Sequence, residues 1–88
     1  MTKATSQYFA NKNKVPYVLS RSNFPGMQRY GHHWLGDNWS TPEYLKLSVE
    51  QMYAYSLFGN PFVGSDICGF DTFATKLDQI AVLCTRWH

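Results

Sequence analysis

The stretch "STPEYLKLSVEQMYAYSLFGNPFVGSD", Ser40–Asp66, decides the fold, because it joins a capped helix to a short apolar strand through a glycine. Ser40 or Thr41 can cap the helix, Pro42 suits its first turn, and Glu43 places a carboxylate where the orphan amides point. Leu45, Val49, Met52 and Ser56 fall on one stripe, and Leu47, Ala54 and Phe58 widen the apolar face. Gly59 is placed to end the helix in a left-handed conformation. "NPFVGSDICGF" then reads as a buried strand running into a glycine-containing loop.

Working outward, the same alternation recurs on both sides. Upstream, Ser6 to Asn13 is polar and reads as the end of a helix, which Lys14 and Pro16 break. "VPYVLS", Val15–Ser20, is a β-branched and aromatic run typical of a buried strand. Arg21 to Asn38 is long and polar, with "NFPGM" as a turn signal. Inside it "HHWLG" is a candidate short strand, but five residues are too few for periodicity to decide. Downstream, from Phe73, the positions Leu77, Ile80, Ala81, Cys84 and Trp87 repeat at helical spacing.

Strands alternating with helices mean parallel β/α units. A parallel sheet needs cover on both faces, which two or three strands with two helices cannot give themselves. The expectation is therefore that the chain is a slice of a larger α/β domain; the alternative is a complete small α+β domain.

Composition narrows the function. The 88 residues are 44% hydrophobic and 16% charged, which points to a packed interior. Aromatics reach 17%, enough for core and for a surface on which a ring-shaped ligand stacks. A net charge of +2 with scattered basic residues offers no phosphate-tracking stripe, so nucleic acid is not an expected partner. No run approaches the ~18 apolar residues of a membrane span. "MTKATSQYFANKNK" has no apolar signal core, and the compartment stays unassigned. Cys68 and Cys84 are either one disulfide or two buried thiols.

In parallel β/α architectures ligands bind at the carboxyl ends of strands. Arg21 follows "YVLS", Asp66 ends "PFVGSD", and Asp37 lies just ahead of the capped helix. Set among Trp34, Trp39 and Phe70, these polar groups resemble a sugar site, where aromatic faces meet pyranose rings and carboxylates and arginine bind hydroxyls. Asp37 alone reads equally as a helix-end charge, favoured by ~0.3–1 kcal/mol through the dipole. His32 and His33 are adjacent, so an extended backbone points them to opposite sides and they do not share a metal. No metal and no cofactor is expected.

"LSRSNFPGMQRYGHHWLGDN", "SLFGNPFVGSDICGF" and "LCTRW" together resemble glycoside hydrolase family 31, the α-glucosidase and sucrase–isomaltase family. The likeness runs from about Val15 to Trp87, with three motifs in family order. It implies a partial (β/α)8 TIM barrel, two to three consecutive β/α units from its C-terminal half, with residues 1–88 a fragment of the catalytic domain. The implied activity is retaining hydrolysis of α-linked glucosides. Residue by residue, Asp37 matches the acid/base and Arg21 an arginine that binds sugar in the −1 subsite. Trp34 and Phe70 match aromatics lining that subsite, and Asp66 a polar residue beneath it that holds the sugar-binding groups. His33 matches a supporting histidine, and His32 stands where the family has a small residue, usually glycine.

The implied partners are an α-linked glucoside or oligosaccharide and the rest of the barrel. Retaining hydrolysis needs a second carboxylate as nucleophile. The family carries it in a "DMNE"-like motif, which does not occur in this sequence, and neither does the family's "RNH" motif. The isolated chain is therefore expected to be inactive, at most a weak sugar-binding or interaction module. Secreted relatives join cysteines in two of these motifs, which implies a Cys68–Cys84 disulfide.

Overall fold

A computed structural model describes residues 1–71 and 76–88. The elements are helix α1 (Thr2–Asn11), strand β1 (Leu19–Ser20), a 3₁₀ turn (Met27–Arg29), strand β2 (His32–Trp34), helix α2 (Pro42–Leu57), strand β3 (Val63–Gly64) and helix α3 (Leu77–Trp87).

The strands form one parallel sheet in the order β1-β2-β3. Leu19 pairs with His32, Ser20 and Val63 flank His33, and Trp34 pairs with Gly64. "HHW" is thus the central strand. Its sequence was too short to announce it, and its partners on either side make it one. His32, in place of a small residue, leaves the ladder intact: its N–H donates to Val18 O at 2.7 Å.

Helix α2 shows the expected start. Thr41 is the N-cap and its Oγ1 accepts from the Tyr44 N–H, while Pro42 is the first helical residue. The helix stops at Leu57, and Gly59 follows at φ +82°. Its buried face differs from the expected stripe. Val49 and Ser56 are exposed, whereas Ser48 is buried and Tyr44, Leu45, Met52 and Tyr55 are half-buried. The Ser48 hydroxyl donates to Leu45 O at 2.7 Å, so its burial leaves no polar group unpaired.

Helix α1 lies earlier than Ser6–Asn13: it begins at Thr2 and ends at Asn11, and Asn13 takes a left-handed φ of 53°. The expected start of the last helix near Phe73 lies outside the described residues.

The strands were expected to be buried, and on one face they are not. His33 lies beneath α2, its ring 4.2 Å from that of Tyr55. On the other face the His32 ring sits between Tyr17 and Phe62, with centroids 4.8 and 4.9 Å apart. Tyr17, Leu19 and Phe62 are all exposed. A parallel sheet covered on one side only presents its second apolar face.

Two global quantities carry the same message. A folded protein of 10.2 kDa is expected to expose about 5,300 Å², and this chain exposes 6661 Å². Its radius of gyration is 15.4 Å, against about 12 Å for a compact chain of this length. Among the described residues Leu83 is the single buried hydrophobic side chain.

Candidate active site

Each strand of the sheet ends on a residue of chemical interest. Arg21 follows β1, Asp37 lies three residues past β2, and Asp66 lies two past β3. Parallel strands put all three at one edge, the carboxyl edge of the sheet, where β/α folds bind ligands.

The side chains meet in two pairs linked by an arginine. Arg21 Nη1 lies 3.8 Å from Asp37 Oδ2, an ion pair without hydrogen-bond contact, both partners half-open to solvent. The Arg21 guanidinium also lies 5.9 Å from the Trp34 ring centre, within cation–π range. Trp34 Nε1 donates to Asp66 Oδ1 at 3.0 Å. The second carboxylate oxygen of Asp66 is buried and has no hydrogen-bond partner among the described residues.

Gly36 explains how Arg21 reaches its place. It has φ +82°, and a Cβ there would stand 2.5 Å from Arg21 Nε and 3.0 Å from Cζ. The arginine lies across the bare backbone of "LGD", so only glycine leaves room beside Asp37.

Asp37 is a solvent-reaching carboxylate, five residues ahead of the first residue of α2. The helix-end charge is Glu43, in the first turn. Its pKa is lowered from the usual 4.5, chiefly by its own backbone N–H and then by the Thr41 hydroxyl. Phe70 is exposed, and its backbone N–H donates to Asn38 O at 2.7 Å, which ties its loop to that of Asp37. His33 points away from this group. It is buried on the α2 side, with Nδ1 3.1 Å from Ser20 O; a carbonyl only accepts, so Nδ1 carries the proton.

Cys68 and Cys84 are joined by a disulfide with a Cα–Cα distance of 4.5 Å. It fastens the loop after β3, which carries Phe70, to helix α3. Cys68 and Gly69 both have positive φ, 72° and 85°. A Cβ at Gly69 would stand 2.5 Å from Ser40 N, so the loop is pressed against backbone at that point.

The arrangement offers a solvent-reaching carboxylate (Asp37), a second carboxylate engaged by Trp34 (Asp66), one cation and an aromatic wall within a single sheet edge. Asn38 was not singled out by sequence reasoning, although it is buried between Asp37 and Trp39. Its hydrogen bonds run to residues about thirty positions away, a contact that no local pattern encodes. Among the described residues no three His, Cys, Asp or Glu side chains stand together as a metal site, and no helix is long and apolar enough to cross a membrane.

Parallel strands with polar groups gathered at their carboxyl ends, and helix cover on one face only, define a piece of a parallel β/α domain and are consistent with part of a barrel. The comparisons identify the barrel. Residues 1–88 match the glycosyl hydrolases family 31 TIM-barrel domain. The chain is 47% identical over 72 residues to lysosomal alpha-glucosidase of Rattus norvegicus, covering 82% of this chain and 7% of that protein. It is 41% identical over 85 residues to intestinal sucrase-isomaltase of Suncus murinus, 97% of this chain and 4% of that one. With alpha-xylosidase 1 of Arabidopsis thaliana it shares 45% over 76 residues, 86% and 8% of the two chains. The crystal structure of a Tris-bound glucosidase II alpha subunit superposes with a TM-score of 0.69 at 37% identity, over 83% of this chain and 7% of that one. The chain belongs to glycosyl hydrolase family 31, and its sheet is a fragment of the family's TIM barrel. It spans 4% to 8% of the length of these curated relatives.

Proposed function

We propose that this chain forms part of a retaining α-glucosidase-type glycoside hydrolase, from the C-terminal half of its barrel. Asp37 is the acid/base, and Arg21, Trp34, Asp66 and Phe70 shape the pocket for the glucose ring. The observation that carries this reading is the convergence of the Arg21–Asp37 ion pair and the Trp34–Asp66 hydrogen bond at the carboxyl edge of three parallel strands.

In this mechanism the protonated Asp37 gives its proton to the glycosidic oxygen as the C1–O bond breaks. The nucleophilic carboxylate, carried by another part of the barrel, bonds to C1 at the same time, from about 5–5.5 Å across the site. In the second half the Asp37 carboxylate takes a proton from water, the water oxygen bonds to C1, and the nucleophile leaves. Arg21 holds Asp37 and a sugar hydroxyl in register. Trp34, pinned by Asp66, presents an aromatic wall to the ring, and His33 stiffens β2 from behind.

The test uses the full-length polypeptide carrying this segment, assayed on maltose and on an aryl α-glucoside. Asp37→Asn is expected to lose at least about 10³-fold in kcat on maltose, from the combined loss of acid and base. Undiminished maltose hydrolysis by that variant would remove Asp37 from the mechanism.

The uncovered face of Tyr17, Leu19 and Phe62 and the excess surface favour a chain that neither folds cooperatively alone nor turns over substrate. Circular dichroism of the isolated chain on heating is expected to show no cooperative transition; a sharp melt would establish an autonomous module instead.

A further inference from the structure

We infer that Asn38 is a positioning residue that locks the Asp37 loop to the Phe70 loop and thereby sets where the acid/base stands; the inference rests on the reading of Asp37 given above. Asn38 lies in the loop after β2, immediately past Asp37, and is 5% exposed. Its side-chain Nδ2 donates to Asp66 O at 3.2 Å, in the loop after β3. Its own carbonyl accepts twice from that loop, from Phe70 N at 2.7 Å and Asp71 N at 3.2 Å.

These bonds continue the sheet past its regular end. Ser40 N donates to Asp71 O at 2.9 Å, and Trp39 bridges Asp71 in parallel register. The two loops therefore move as one piece, clamped on one side by Gly69 against the Ser40 backbone. Backbone–backbone bonds in this clasp survive any substitution. The side-chain bond from Nδ2 to Asp66 O does not; it ties the Asp37 loop to the residue that pins Trp34, at a carbonyl that also accepts from Gly69 N at 2.9 Å.

Asn38 touches no reacting atom, so its effect must run through Asp37. Replacing the amide by a carboxylate of equal size turns a donor into an acceptor facing the Asp66 carbonyl, which pushes the loops apart. A shift of the acid away from the glycosidic oxygen penalises substrates in proportion to their need for protonation. The leaving group of maltose is a glucose hydroxyl, a poor alkoxide that needs the proton; that of a nitrophenyl α-glucoside is a stabilised phenolate that needs it little.

The experiment compares kcat/KM on maltose and on 4-nitrophenyl α-glucoside for the full-length wild type, Asn38→Asp, Asn38→Ser and Asp37→Asn. The ratio of the two substrates does not depend on the folded fraction, and the smaller serine supplies a second variant if the aspartate fails to accumulate. We expect the maltose-to-aryl ratio to fall about tenfold or more in both Asn38 variants, in the direction of Asp37→Asn. An unchanged ratio in the Asn38 variants, with the ratio of Asp37→Asn reduced, overturns the positioning role alone. An unchanged ratio in Asp37→Asn overturns the underlying reading of the acid/base.

Discussion

Adding one methyl group at Gly36 tests how Arg21 is held. Gly36→Ala places a Cβ 2.5 Å from Arg21 Nε, where ordinary contact begins at 3.4 Å. The overlap is with a flexible side chain, so the arginine yields and the backbone stays. Relief requires a shift of about 1 Å, a displacement that costs up to about 10²-fold when the shifted group handles substrate. Stability should suffer less. The left-handed φ of +82° costs an alanine about 1–2 kcal/mol, and the half-open ion pair with Asp37 contributes at most about 1 kcal/mol.

Gly26→Ala is the matched control, because Gly26 also has a positive φ, +96°, but open space where its Cβ would go. Both variants put an alanine at a positive φ, +82° and +96°, but only Gly36→Ala meets a side chain, so their difference reports chiefly on Arg21. The assay is KM for an aryl α-glucoside with the full-length enzyme, a quantity that unfolded protein does not distort. Gly36→Ala should raise KM about tenfold or more over Gly26→Ala. Equal KM values in the two variants would refute the claim that Arg21 is placed by the bare backbone at Gly36 and that it binds substrate.

Other outcomes follow from the same structure. Gly69→Ala meets Ser40 backbone instead of a side chain, so it should be worse than either glycine variant and should lower soluble yield at 30 °C (roughly 3 kcal/mol or more, as for other forced left-handed and overpacked sites). Thr41→Ala removes the cap that accepts from Tyr44 N and should cost about 1 kcal/mol in denaturant unfolding of the full-length protein. Reducing the Cys68–Cys84 disulfide, which closes a loop of sequence separation 16, should lower stability by about 3 kcal/mol, seen as a lower melting temperature in dithiothreitol that Cys68→Ser with Cys84→Ser reproduces. Glu43 has a lowered pKa, so its contribution is fully present above its unfolded value and is lost as pH falls through the folded one. Glu43→Gln should therefore lower stability at pH 7, where the contribution is fully present, and flatten the stability profile below about pH 4.5, its usual value.

The legible parts of the fold were those written in local chemistry. Thr41, Pro42 and Glu43 mark the start of α2, and Gly59 its end, because caps and left-handed turns depend on a few neighbouring side chains. "HHWLGD" shows where legibility stops. Three residues carry no period, and β2 exists because Leu19 and Val63 lie on either side of it. The stripe on α2 failed at Val49 and Ser56 for a related reason. Hydrophobic spacing cannot tell which face meets the sheet when a buried serine bonds its own helix. In the site, strand ends located Arg21, Asp37 and Asp66, and motif likeness gave them roles. Asn38 and the space at Gly36 became visible only once distant loops were seen to touch.

The central claim is that Asp37 supplies the acid and base of a retaining mechanism, and chemical rescue tests it most directly. In full-length Asp37→Ala, given an aryl α-glucoside whose leaving group needs no proton, the first half-reaction proceeds and the second stalls for want of a base. Azide needs no base, so it should accelerate turnover and yield α-glucosyl azide, with the configuration retained. Absence of rescue, or formation of the β-azide, which is the product expected when the missing carboxylate is the nucleophile, would contradict the assignment.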